Sequence, residues 1–151
     1  MQVKGNYMVN TTPNVVWDMI TNPAVLEKIT PGIKTLTVTG PDQYDAISEV
    51  KVGPVKGNFE GTLSLKDQVN LESCVLVVDQ KSKMGNVVAE ISMKLIPDGN
   101  DNTEVQYTGD AKMSGMLARM GQRIMSGVVS TLSRQFFQSL NKELEGEPST
   151  E

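Results

Sequence analysis

The stretch Met113-Ser-Gly-Met-Leu-Ala-Arg-Met-Gly-Gln-Arg-Ile-Met125 opens a helical pattern that runs to Leu144 without a proline. A long C-terminal helix following alternating strands needs a sheet to lie on, because one apolar stripe must be covered. Its first half carries Met113, Met116, Met120 and Met125 and is interrupted by Gly115 and Gly121. Glycine inside a helix costs about 0.5–1 kcal/mol relative to alanine, so close packing, a bend or a mobile entrance should offset it. Farther along, Leu132, Phe136 and Leu140 repeat at helical spacing with no glycine between them and read as tight core. The helix therefore reads as a loose methionine-rich start and a packed aromatic end.

Upstream, the period changes from helical to two. Val55, Gly57, Phe59, Gly61, Leu63 and Leu65 alternate with Lys56, Asn58, Glu60, Thr62, Ser64 and Lys66, the cleanest strand signal in the chain. The same alternation places Ala46, Ser48, Val50 and Val52 on one face, then Cys74, Leu76, Val78, Gln80 and Ser82, then Val87, Ala89, Ile91, Met93 and Leu95, then Val105, Tyr107, Gly109 and Ala111. Gly40-Pro41-Asp42, Gly53-Pro54, Gly85-Asn86 and Pro97 to Asn102 supply the turns. Before this meander lie a first strand around Val3 to Val9 and two short helices. Thr12-Pro13 and Asn22-Pro23 mark their starts, each a capping residue followed by proline at the first helical position. The order is α+β: strand, two short helices, about six strands in an antiparallel meander, one long helix. Residues 1–144 form one domain, and 145–151 read as a flexible polar tail.

Composition narrows the function. The chain has 151 residues, 14 basic against 18 acidic, a net charge of −4 and no histidine. Nucleic-acid binding lacks its basic footprint. The commonest general base and metal ligand are absent, which rules out Ser-His-Asp and Cys-His arrangements. The lone Cys74 sits in an apolar run and reads as a buried, inert thiol. Asp98-Gly-Asn-Asp-Asn starts like a calcium loop but has Thr103 and Gly109 where glycine and glutamate are required. No signal peptide or membrane span is visible, so a cytoplasmic protein is expected. No catalytic set, metal site or cofactor is expected, and the protein reads as a binder rather than an enzyme.

The positive signal is the inward set. Phe59, Met84, Met93, Tyr107, Met113, Leu117, Met120, Gly121 and Ile124 are expected to converge as an apolar cavity, methionine being suited to an irregular ligand. Tyr107, Gln80 and Ser82 are the inward polar groups that would orient a head group, and Gly121→Leu should block the volume. On the outer face, Arg119 and Arg123, with Lys112 and Arg134, suit an acidic partner or anionic lipid.

With these residues laid out, the chain resembles the carbon monoxide dehydrogenase G-subunit (CoxG) family of the START-like, Bet v 1-like superfamily. The resemblance runs from Val3 to about Leu140. It rests on Val16-Trp17 with Asn22-Pro23 and Pro31-Gly32, on Lys51-Val-Gly-Pro-Val-Lys-Gly-Asn-Phe-Glu-Gly61, and on Gln135-Phe-Phe137. It implies a helix-grip fold, a seven-stranded antiparallel sheet wrapped around the long helix and enclosing an apolar pocket. It also implies a role beside a molybdenum-containing carbon monoxide dehydrogenase or related hydroxylase, through binding of a quinone- or lipid-like molecule, assembly, or peripheral membrane recruitment. A polyketide cyclase-type enzyme is a further use of this fold, disfavoured here by the missing histidine.

Overall fold

The computed structural model describes residues 1–146. Strand β1 (Gln2–Val9) leads into helices α1 (Pro13–Ile20) and α2 (Pro23–Ile29). Strands β2 (Ile33–Gly40), β3 (Gln43–Val52), β4 (Val55–Val69), β5 (Ser73–Ser82), β6 (Gly85–Pro97) and β7 (Thr103–Met113) follow. A short helix α3 (Gly115–Arg119) and a long helix α4 (Gln122–Gly146) complete the chain. The seven strands form one antiparallel sheet in the order β1-β7-β6-β5-β4-β3-β2. The meander keeps β2 to β7 adjacent, and β1 adds to β7 at the far edge. Strand parity is as the alternation predicts: Val55, Phe59, Leu65, Cys74, Ala89, Leu95, Val105 and Ala111 are all buried.

Local chemistry sets the two short helices. Asn22 accepts a hydrogen bond from the Ala24 amide at 3.0 Å, the expected cap. Thr12 takes the extended backbone of a cap, but its side chain makes no capping bond. Val16, Trp17, Met19 and Ile20 of α1 and Ile29 of α2 pack with Val9, Leu65, Cys74, Leu95, Val105, Phe137 and Leu140 in one core cluster. Helix α4 is held to β1 by its own side chains. Asn141 accepts from the Asn10 amide at 3.0 Å and donates to the Met8 carbonyl at 3.2 Å. Phe137 stacks on Tyr7 with ring centroids 4.8 Å apart.

The expectation of one helix from Met113 to Leu144 is corrected. Met113 closes β7, paired with Val87 of β6. Gly121 adopts φ +88°, in the left-handed region, and separates α3 from α4. Only glycine enters that region cheaply, so Gly121 is a chain break rather than a helical residue under strain. The tail is corrected in part: Glu145 and Gly146 continue α4, and the remaining residues of the expected tail, 147–151, lie outside the described residues.

Candidate functional site

A cavity of about 370 Å³ lies between the inner face of the sheet and the middle of α4. Strands β3 to β7 supply its floor, Val129, Leu132, Ser133, Phe136 and Phe137 of α4 its roof, and Ile20, Leu26 and Pro31 one side. Its origin is the size of the inward side chains. In register, Ala46 of β3 faces Gly61 of β4, which faces Gln80 of β5; on the next row Ala89 of β6 faces Ala111 of β7. These small residues leave α4 nothing to pack against at the centre of the sheet. Leu63, Leu76, Val78, Ile91 and Met93 point inward from central strands, yet each stays only half-buried. An inward leucine at mid-sheet is normally buried, so partial exposure here marks a hollow rather than a packed core.

Two packed clusters border the hollow. One gathers around Trp17 and Leu140. In the other, Val55, Phe59, Leu117, Met125 and Val128 pack together, with Met84, Val87, Met113, Met120 and Leu132 against them.

This arrangement relocates the site expected from the sequence. Of the nine residues expected to converge on the cavity, Met93 and Tyr107 line it. Phe59, Met84, Met113, Leu117 and Met120 instead form the packed plug beside it. Ile124 is 46% exposed. Gly121 is exposed, and a Cβ placed there would meet nothing within 4 Å, so Gly121→Leu cannot fill the cavity. The physical reason is the break at Gly121, which carries α3 away from the line of α4 and packs Leu117 into the plug, its amide bonded to the Met84 carbonyl at 3.0 Å. The aromatic half of α4 shows the converse: Leu132 and Phe136, expected as tight core, form the roof, while Leu140 is fully buried. The sequence signal for the cavity is the run of small inward residues Ala46, Gly61, Ala89, Gly109 and Ala111. Their adjacency appears only once the register is known.

Among the described residues, the lining is almost wholly apolar and includes no Asp, Glu, Lys or Arg side chain. Its polar members are Thr30, Tyr44, Ser48, Gln80, Tyr107 and Ser133. Burial, and secondarily the Asp42 carboxylate, pushes the Tyr44 hydroxyl above its ordinary value, so Tyr44 stays protonated. Gln80 is 8% exposed and donates from Nε2 to the Thr62 carbonyl at 3.3 Å. Ser82 is taken up by the β5–β6 hairpin, donating to the Gly85 carbonyl at 2.8 Å and accepting from the Met84 amide at 3.1 Å. It does not face the cavity. Cys74 is buried, and burial pushes its thiol up to about 11. Arg119 and Arg123 are exposed, as expected of an outer face. No helix of the described residues is long and apolar enough to cross a membrane.

Known structures share this outline. A conserved protein from Geobacillus kaustophilus superimposes with a TM-score of 0.92 at 29% identity, covering 96% of this chain and 95% of its own. A START superfamily protein from Mycobacterium smegmatis gives a TM-score of 0.76 at 13% identity, covering 95% and 97%. The aromatase/cyclase ZhuI from Streptomyces sp. R1128 gives 0.71 at 11%, covering 97% and 94%. The last two identities speak to the fold alone, which is START-like. Among curated proteins, none matches the chain by sequence. The family model of the carbon monoxide dehydrogenase G-subunit (CoxG) matches residues 5–145. With that match spanning nearly the whole chain and a START-like sheet gripping its last helix, the protein belongs to the CoxG family of carbon monoxide dehydrogenase subunits.

Proposed function

We propose that the protein is a non-enzymatic carrier that holds a quinone- or lipid-like molecule in the cavity beneath α4. The observation that carries this reading is the apolar hollow of about 370 Å³. Its volume falls within the range of about 300–1,000 Å³ usual for small-molecule sites. Affinity would come from apolar burial, at about 25 cal/mol per Å² before association costs. The lining supports carriage over chemistry: among the described residues, Tyr44 and Tyr107 are its only titratable side chains. The family membership supports a role accessory to a molybdenum-containing carbon monoxide dehydrogenase or related hydroxylase. Native mass spectrometry of gently purified protein should reveal a bound molecule, and added quinones should raise the melting temperature. A bare polypeptide mass together with no thermal response to quinones or fatty acids would count against carriage.

A second reading, as an assembly or recruitment factor, is favoured by one feature of the charge distribution. Residues 111–142 carry five basic residues, Lys112, Arg119, Arg123, Arg134 and Lys142, and no acidic one, in a chain whose net charge is −4. Such a segment suits an acidic protein surface or anionic headgroups. Under this reading, Arg119→Glu with Arg123→Glu abolishes co-purification with the hydroxylase and spares binding of an apolar dye. Undiminished co-purification removes this face from the account.

A further inference from the structure

The polar content of the cavity bears on what it can accept. Gln80 stands at mid-sheet between Gly61 of β4 and Val87 of β6, with the small Ala46 beyond Gly61. A Cβ at Gly61 would run into the Asp79 carbonyl and the Gln80 backbone, so glycine keeps β4 tight against β5 here. The Thr62 carbonyl is thereby brought within reach of Gln80 Nε2. An amide offers two donors and an acceptor with two lone pairs. The bond to Thr62 uses one donor. No other protein partner for this amide exists among the described residues, although the side chain is more than nine-tenths buried and lines the hollow. Among the described residues no fully buried side-chain nitrogen or oxygen lacks a partner, so the unbonded Oε1 is accessible and can bond to a molecule that enters the hollow.

The remaining polar side chains are uncharged as well. Ser48, Ser133 and Thr30 are hydroxyls, and the two phenols are the only groups that titrate. One carboxylate acts on the lining: the negative charge of Asp42 helps raise Tyr44, after burial. A carboxylate or phosphate head would therefore enter a low-dielectric volume with no cation to meet it.

We infer that Gln80 is the polar anchor of the cavity, and that the cavity takes an uncharged amphipath presenting one hydroxyl or carbonyl group to the Gln80 amide. This rests on the carrier reading and narrows it: ionised fatty acids and phospholipid headgroups are excluded, and neutral alcohols, esters and ring carbonyls are admitted. Carbonyl ligands use the free N–H, hydroxyl ligands use Oε1, and the apolar remainder lies against Leu63, Val78 and Leu132.

The test is competition against an uncharged fluorescent probe, N-phenylnaphthylamine, on delipidated protein. Competitors share one chain length: decane, decanol and decanoate, at about pH 8, where the carboxylate is ionised. Decanol should displace the probe about three- to tenfold better than decane, the worth of one hydrogen bond. Decanoate should be at least about tenfold weaker than decanol. In Gln80→Met, with competition scaled to the variant's own probe affinity, decanol should fall to the level of decane. Equal competition by decanoate and decanol, or a decanol advantage that survives in Gln80→Met, overturns the inference while leaving the carrier reading intact. Failure of the probe to bind the wild-type protein overturns the carrier reading, and the anchor with it. Should Gln80→Met not fold, the three-way comparison on the wild-type chain decides alone.

Discussion

Val78 and Val128 both point inward, and enlarging each to phenylalanine should have opposite consequences. Val128 is 5% exposed and belongs to the packed plug with Val55, Phe59, Leu117 and Met125. Val78 lines the hollow from the centre of β5. Extra volume in a packed core forces off-rotamer side chains and costs about 1–3 kcal/mol. For a domain of this size each kcal/mol moves the melting temperature by about 2–4 °C, so Val128→Phe should melt about 2–12 °C lower. The hollow has room to spare. Its volume is about 370 Å³. A phenyl ring entering it regains apolar contact worth up to about 2 kcal/mol. Val78→Phe should therefore melt at the wild-type temperature or up to about 8 °C above it. Calorimetry on delipidated samples of both variants reads the comparison directly. A loss in Val78→Phe equal to that in Val128→Phe would refute the reasoning, because it would mean that the volume under α4 is already filled.

Further outcomes follow from other parts of the molecule. Gly121→Ala forces a Cβ into the left-handed region at φ +88° and should cost about 1–2 kcal/mol, seen as a lower urea midpoint with unchanged binding of N-phenylnaphthylamine. Phe137→Ala removes a buried ring stacked on Tyr7 at 4.8 Å and near Tyr107 at 6.1 Å, and should cost about 3–5 kcal/mol by equilibrium unfolding. Cys74, its thiol pushed by burial from an ordinary value of 9.0 up to about 11, holds its proton longer folded than unfolded. Its contribution to stability is therefore present below pH 9.0 and lost as pH rises towards about 11; Tyr44, raised in the same direction, adds to the alkaline loss. Urea midpoints measured across that window should fall, and should fall less steeply in Cys74→Ala.

The fold is legible in the sequence because strand parity is a local property. Lys56 to Lys66 alternate outward regardless of which strands lie beside them, and the proline and asparagine signals at Thr12-Pro13 and Asn22-Pro23 are equally local. The site is less legible because a hollow is a property of neighbours. Ala46, Gly61, Ala89 and Ala111 lie far apart in the chain, and only the pairing of β3 with β4 and of β6 with β7 gathers them under α4. The methionines mislead for a related reason. A flexible thioether suits an adaptable wall and a plug equally well, and what distinguishes them here is the turn at Gly121 that tucks Leu117 and Met120 against Phe59. Met93 and Tyr107 follow from strand parity alone. Leu132 and Phe136 are inward by helical spacing, but that spacing does not report what stands opposite, so a packed core and a cavity roof read alike.

The central claim, that an apolar molecule occupies the volume beneath the middle of α4, is tested most directly by isotope-filtered NOE spectroscopy. Methyl-labelled protein would be mixed with unlabelled decanol. The account predicts cross-peaks from the decanol chain to the methyl groups of Leu63, Val78, Met93 and Leu132, and none to Val55, Leu117, Val128 or Met120. Cross-peaks confined to the methionine plug, or none at any inward methyl at saturating decanol, would contradict it.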